Sequence, residues 1–249
     1  MVEIKNLTKR YDKSAKPAID NISCKIRNSK VYGLVGPRGA GKTTLIDMMA
    51  GVVCPTDGTI VVNGYDIRKQ PLAAKKQMGY LPQDLPVFPN MTVYECMAFI
   101  ASAKGVKGEL LQAQIKEALS LTELSSVQDR LVQNLSAAQH QSLGIAQTLL
   151  GTPDVILMDE PFQGLEPHRI TLFKELIRKL GQTRTILVAA EHISEIRDLC
   201  DRVILLSEGR IVAEDVPDVF DTPSDAVTQA EDEQTEEILT ADYEEQEEI

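Results

Sequence analysis

The run Gly36-Pro37-Arg38-Gly39-Ala40-Gly41-Lys42-Thr43-Thr44 has the residue types and the spacing to hold a chain of phosphates. It is a full GxxxxGK[ST] match, preceded by the apolar segment VYGLV and followed by the helix-patterned run KTTLIDMMAG. Glycines let backbone N–H groups turn inward around phosphate oxygens, and the N-terminus of the following helix adds partial positive charge. Lys42 is placed to reach the terminal phosphates and the Thr43 hydroxyl to ligate Mg²⁺. A chance glycine-rich turn would not carry a strand before it and a helix after it, so a nucleotide site is expected here.

A second candidate is Val155-Ile156-Leu157-Met158-Asp159-Glu160. Four apolar residues suit a strand buried on both faces, with two carboxylates emerging at its end. Asp159 is placed to hold Mg²⁺ through water, and Glu160 to polarise an attacking water as general base. Paired carboxylates after a strand can also cap the next helix. The phosphate loop in the same chain selects the catalytic reading.

The elements that must position these groups follow from the hydrophobic pattern. VEIKNL, IDNISCKI and VYGLV read as strands, GTIVVNG as a further strand pair, and Gly51 closes the helix after the phosphate loop. TVYECMAFIASAKG, ELLQAQIKEALSLT and SAAQHQSLGIAQTLLG carry apolar residues at three- and four-residue spacing, which predicts a helical insert over about 85–150. Alternation then resumes: VILMD as strand, HRITLFKELIRKL as helix, TILVAA as strand, ISEIRDLC as helix, then VILLSEG and RIVAED as strands. That order predicts an α/β fold with a mainly parallel sheet.

Composition sets the wider bounds. The chain has 249 residues, 43% of them hydrophobic, enough for a substantial core. No stretch approaches the ~18 to 20 consecutive apolar residues of a membrane helix. MVEIKNLTKRYDK lacks the apolar core of a secretory signal, so the expected location is the cytoplasm, with any membrane contact made through a partner. Four cysteines without a CxxC pair read as reduced, partly buried thiols. Of the 37 acidic residues, 14 fall after residue 214, where there is no Lys or Arg; the first 214 residues carry 26 bases against the other 23 acids. The net charge of −11 therefore belongs to a tail, expected to be a solvated extension over 223–249 or a tether for a basic surface. Such a tail argues against nucleic acid as substrate, because phosphate would repel it.

With both motifs and the helical insert between them, residues 1–222 resemble the ATP-binding domain of the ABC ATPases. The resemblance implies a P-loop NTPase core with an antiparallel β sub-domain and a helical sub-domain. It implies ATP and Mg²⁺ as ligands, an adenine-stacking role for Tyr11, and a Gln83 that touches Mg²⁺ and the attacking water beside the groove for a transporter's coupling helix. It implies a γ-phosphate contact for His192, in AAEHISEI, and phosphate contacts from Ser136 and Gln139 of the signature toward the ATP of a second ABC subunit. By itself a lone Tyr or a lone His after a strand is usually structural; five motifs in family order carry these roles. In this family each ATP is sandwiched between the phosphate loop of one subunit and the signature helix of the other, and closure drives the membrane subunits.

Three places depart from the pattern, at Ala137 and Ala138, at Phe162 and Glu166, and at Ser142. LSGGQ reads Leu135-Ser136-Ala137-Ala138-Gln139, and DEPT-x-GLDP reads Asp159-Glu160-Pro161-Phe162-Gln163-Gly164-Leu165-Glu166-Pro167. Ser142 stands where an arginine is common, which removes a possible interfacial cation. All three lie in the half offered to a partner's ATP, whereas Tyr11, Lys42, Thr43, Gln83, Asp159, Glu160 and His192 keep the chain's own half complete. The expectation is a subunit that binds ATP well and either caps a partner's ATP poorly or tolerates its alanines.

The expected function is ATP hydrolysis by the cytoplasmic subunit of an ABC transporter. It would be peripheral on the inner face of the membrane, acting with a separate integral-membrane permease and a second ABC ATPase subunit. Export is expected from the similarity of GYDIRKQPLAAKKQMGYLPQDLPVFPNMTVYECMAFIASAKGV to separately encoded exporter ATPases. The alternatives are an ATP-binding regulatory subunit and a non-transport soluble ABC ATPase with weak turnover. Among soluble members, the translation type carries two such domains per chain, and the DNA-maintenance type needs a coiled coil longer than the span from 42 to 159. The iron–sulfur assembly type stays open.

Overall fold

The computed structural model of the chain describes residues 1–12, 16–86 and 88–220. The acidic segment 223–249 lies outside the described residues.

The chain opens with β1 (Val2–Lys9) and β2 (Ile19–Ile26), where Val2, Ile4, Leu7, Ile19, Ile22 and Ile26 are buried and the intervening polar residues face out. β1 pairs antiparallel with β2 and with β4 (Asp57–Val62), and β5 (Tyr65–Asp66) completes a four-stranded antiparallel sheet in the order β2-β1-β4-β5. One covered face explains the alternation.

β3 (Val31–Val35) is different, because every residue is buried. It lies inside a second sheet with β6 (Met78–Leu81), β7 (Val155–Asp159), β8 (Thr185–Ala190), β9 (Arg202–Ser207) and β10 (Arg210–Asp215). The order is β10-β9-β3-β8-β7-β6. Five strands are parallel, and β10 closes one edge antiparallel.

This six-stranded sheet divides two cores by the two-residue period of its strands. Val31, Val35, Ile156, Met158, Ile186 and Val188 face one side. They pack with α3 (Val93–Ala103), α4 (Gly108–Leu121), α5 (Ala137–Leu149) and α6 (Pro167–Gly181). Tyr32, Leu34, Val155, Leu157, Leu187 and Ala189 face the other, with α1 (Lys42–Met49) and the inner face of the antiparallel sheet. Each such aliphatic residue contributes about 1.5 to 3 kcal/mol when fully buried.

The helices start where side chains satisfy their free N–H groups. At α3 the Thr92 hydroxyl accepts from Glu95 N–H at 3.1 Å, and the Glu95 carboxylate accepts from Thr92 N–H at 2.8 Å. Such a reciprocal box contributes about 1 kcal/mol. Two short elements escape the sequence reading: α2 (Pro71–Lys76) and β6. The helix expected over ISEIRDLC is a single turn, α7 (Ile193–Ile196). The chain leaves it early because Asp201 must accept from Val31 N–H, at 2.7 Å, as it enters β9.

Among the described residues no helix is long and apolar enough to cross a membrane. All four cysteines are free thiols, with Cys96 buried and Cys54 exposed.

Candidate functional site

Parallel pairing brings four strand ends to one edge of the six-stranded sheet. Val35 pairs with Ala190, Asp159 with Ala189, and Leu81 with Met158. The segments that follow these strands are the phosphate loop, Asp159-Glu160, Gln83 and His192. Residues scattered over more than 150 positions thus meet at the carboxyl ends of the strands, where open α/β sheets bind ligands.

The phosphate loop is shaped by close approach as much as by flexibility. A Cβ on Gly36 would lie 2.1 Å from the Leu206 carbonyl of β9. Gly41 caps α1 at φ +106°, with the Ala18 carbonyl 2.5 Å from where a Cβ would be. Lys42, only 6% exposed, donates to the Gly36 and Pro37 carbonyls at 2.6 and 3.2 Å. Its ammonium is thereby held inside the loop whose N–H groups would meet phosphate.

Asp159 is 1% exposed and neither carboxylate oxygen has a hydrogen-bond partner. Burial raises its pKa; the nearby Thr43 hydroxyl, short of a formed hydrogen bond, and Lys42 oppose this, while Glu160 and Asp47 add to it. A buried, unpaired carboxylate is costly, and a cation beside it would offset that cost. Among the described residues no cluster of three or more His, Cys, Asp or Glu could hold a metal. The donors present are one carboxylate, the Thr43 hydroxyl and the Gln83 side-chain carbonyl, hard oxygens that fit Mg²⁺ shared with phosphates.

Glu160 follows Asp159 with φ +48°, a left-handed conformation uncommon for a non-glycine residue. Its N–H donates to the Ala189 carbonyl at 3.1 Å, which pins the turn to β8. The Gln83 amide then donates to the Glu160 carboxylate at 3.3 Å. The structure therefore unites the loop after β6 with the candidate base.

His192 is exposed, two residues beyond β8, at the start of α7. Tyr11 is 65% exposed beside the phosphate loop, its hydroxyl 3.3 Å from the Thr44 hydroxyl and the Lys9 ammonium 4.9 Å from its ring centre. An exposed aromatic fixed at its far end suits stacking on a base.

The signature segment forms the N-terminus of α5. The Ser136 hydroxyl accepts from Gln139 N–H at 3.2 Å, and the Gln139 side chain accepts from Ser136 N–H at 3.1 Å. The Ser136 hydroxyl proton stays free to donate. Ala137 and Ala138 occupy the first helical turn, and neither has positive φ. Phe162 packs into the helical-side core with the Lys174 ammonium 5.9 Å from its ring centre, and Glu166 is exposed at the start of α6.

One expectation needs correction. Ser142 is completely buried, so its position points into the protein rather than toward a partner, and a guanidinium is present there after all: that of Arg169, 2.9 Å from the Ser142 hydroxyl. The sequence reading also missed the Tyr80 hydroxyl donating to Asp47 at 2.6 Å, which links β6 to α1. Both contacts join residues with no shared motif, so only the fold reveals them.

The chain spans 86% of its length in a match to the lipopolysaccharide export system ATP-binding protein LptB of Haemophilus influenzae, 34% identical and covering 89% of that protein. It is 35% identical over 218 residues to the probable multidrug ABC transporter ATP-binding protein YbhF of Escherichia coli, of which it spans only 38%. Among solved structures, cbiO1 from Clostridium perfringens superposes with a TM-score of 0.75 at 26% identity, covering 92% of this chain and 93% of that one. The ABC transporter family model matches residues 19–163, more than half of the sequence. On that match, and on a relative aligned along nearly its whole length, the chain belongs to the ABC transporter family.

Proposed function

We propose that residues 1–222 bind and hydrolyse ATP as one subunit of a pair, driving export through a separate membrane permease from its inner face. The observation that carries this reading is the Asp159 carboxylate, buried without a partner beside Thr43 and next to a base held by Gln83. The relatives named as export and multidrug ATP-binding proteins support the coupling to transport.

Lys42, with the N–H groups from Gly36 through Thr44, including those of Arg38, Gly39, Ala40 and Gly41, would hold the β- and γ-phosphates; Pro37 has no N–H and shapes the turn. Tyr11 would stack on the adenine. Thr43, Gln83 and Asp159 would hold Mg²⁺, which when bound supplies positive charge against the phosphate oxygens. Glu160 would accept the proton of the attacking water, Gln83 would orient that water, and His192 would donate to the γ-phosphate. Ser136 and Gln139 would contact the ATP of the second subunit.

Ala137 and Ala138 favour a second reading, an ATP-binding regulatory subunit with little turnover. Size-exclusion of Glu160→Gln with and without ATP tests the pairing, and phosphate release by the parent in the assembled complex tests the turnover. A shift from monomer to dimer on ATP supports a clamping pair. A persistent monomer with ATP bound removes self-pairing and leaves a different partner or the regulatory reading.

A further inference from the structure

Arg169 lies in the first turn of α6, three residues beyond Glu166. Its Nη1 donates to the Ser142 hydroxyl at 2.9 Å, and its Nη2 stands 4.0 Å from the Glu123 carboxylate. The side chain is 18% exposed, and Ser142 is wholly buried. Having accepted from the guanidinium, the Ser142 hydroxyl donates its own proton to the Ala138 carbonyl at 2.9 Å. A polar relay therefore runs from Glu123 through Arg169 and Ser142 to the backbone of the second signature alanine. A parallel tie joins the Gln141 amide to the Pro161 carbonyl at 3.0 Å, one residue after Glu160.

A serine hydroxyl bonded to the carbonyl four residues back competes with the helix and tends to bend its turn. A charged donor fixes the rotor of that hydroxyl and makes the bond stronger than a neutral one. The first turn of α5, capped by Ser136 and Gln139, is thus also tied to a guanidinium that belongs to another helix. That other helix begins at Glu166-Pro167, directly after the segment that carries Glu160.

We propose that Arg169 is a positioning residue: through Ser142 it sets the orientation in which Ser136, Ala137 and Ala138 meet the phosphates held by a second subunit, and makes that orientation follow α6. The inference rests on the ATP-dependent pairing proposed above. Movement at the start of α6 reaches Ala138 through two hydrogen bonds, so a change beside one nucleotide site alters the surface offered to the other.

The test compares Arg169→Ala, Arg169→Lys, Ser142→Ala and the double variant Arg169→Ala/Ser142→Ala, each in the Glu160→Gln background. Two readouts are taken: the ATP-driven dimerisation midpoint by size-exclusion, and amide hydrogen exchange over residues 137–141 in the monomer. Each Ala variant is expected to weaken dimerisation about tenfold and to speed exchange over 137–141 to a similar degree, the effect of one charge-assisted bond. The double variant is expected to be no worse than either single, because both act on one path. ATP affinity of the monomer stays within about twofold. Arg169→Lys, which keeps the charge without the planar fork, is expected to restore less than half of the loss. Unchanged dimerisation and exchange in both single Ala variants, or losses that add in the double, overturn the proposal. If Glu160→Gln itself stays monomeric, self-pairing falls, and the exchange readout alone decides the positioning role.

Discussion

The side-chain amide of Gln83 donates to the Glu160 carboxylate at 3.3 Å, joining groups 77 residues apart. This bond ties the loop that leads into α3 to the candidate base. Gln83→Ala is expected to lower phosphate release at least tenfold while ATP affinity stays within about twofold, since it leaves the phosphate loop intact. Gln83→Glu should move the acid limb of the pH–rate profile to higher pH, because a second carboxylate raises the pKa of the first.

Asp159 has its pKa raised by burial. For a carboxyl whose folded pKa lies above the unfolded one, the folded state loses stability as pH climbs from the unfolded pKa to the folded one. Without Mg²⁺ the charge is a net cost, so Asp159→Asn is expected to be more stable by about 1 kcal/mol or more in EDTA. Adding Mg²⁺ with ATP should stabilise the parent and leave the variant little changed. Thermal unfolding under the four conditions checks this.

Lys104, the residue after α3, donates its ammonium to the Leu150 carbonyl at the end of α5 at 2.8 Å, and burial lowers its pKa from 10.5 to about 8. Between those two values the unfolded chain binds the proton that the folded chain has lost, so this group's contribution makes stability rise with pH across that window and stay flat below it. Below pH 8 the buried charge costs on the order of 3 kcal/mol, offset by about 1 kcal/mol from the Leu150 bond. Lys104→Met is expected to be more stable at pH 7 and to lack this component of the rise. Urea midpoints from pH 7 to 10 measure both effects.

Ala137 and Ala138 lie in the first turn of α5, where each glycine substitution costs the helix up to ~1 kcal/mol. Ala137→Gly/Ala138→Gly is therefore expected to lower the melting midpoint. If the methyl groups hold the helix back from phosphate, the same variant raises turnover severalfold, a fraction of the ~10² to 10³ that one well-placed donor is worth. A lower midpoint with unchanged turnover shows that the alanines already permit contact.

Much of this was legible because local pattern and chemistry coincided. VYGLV, the glycine loop and KTTLIDMM each dictate a conformation within a few residues, and β3, the loop and α1 follow one another as written. β7 was equally plain, since four apolar residues ending in two acids have few other uses. β6 and α2 were hidden by brevity: MGYL is too short for periodicity, and PLAAKK turns only one apolar side to the core. The pairing of Arg169 with Ser142 and of Tyr80 with Asp47 could not be read at all. Each depends on how separate elements pack, which no local preference encodes.

β3 lies between β8 and β9, and its first residue is tethered by Asp201. The strand that launches the phosphate loop is made early in synthesis, yet both of its neighbours belong to the last third of the described chain. A nascent polypeptide that stops short of residue 185 has neither flanking strand for β3, and one that stops before residue 202 has only β8. Two long loops must close before this pairing is rewarded, and non-local pairing of that kind slows folding. Nucleotide, by binding only the finished arrangement, would then act as a late kinetic latch, and chains truncated before β8 should fail to capture it.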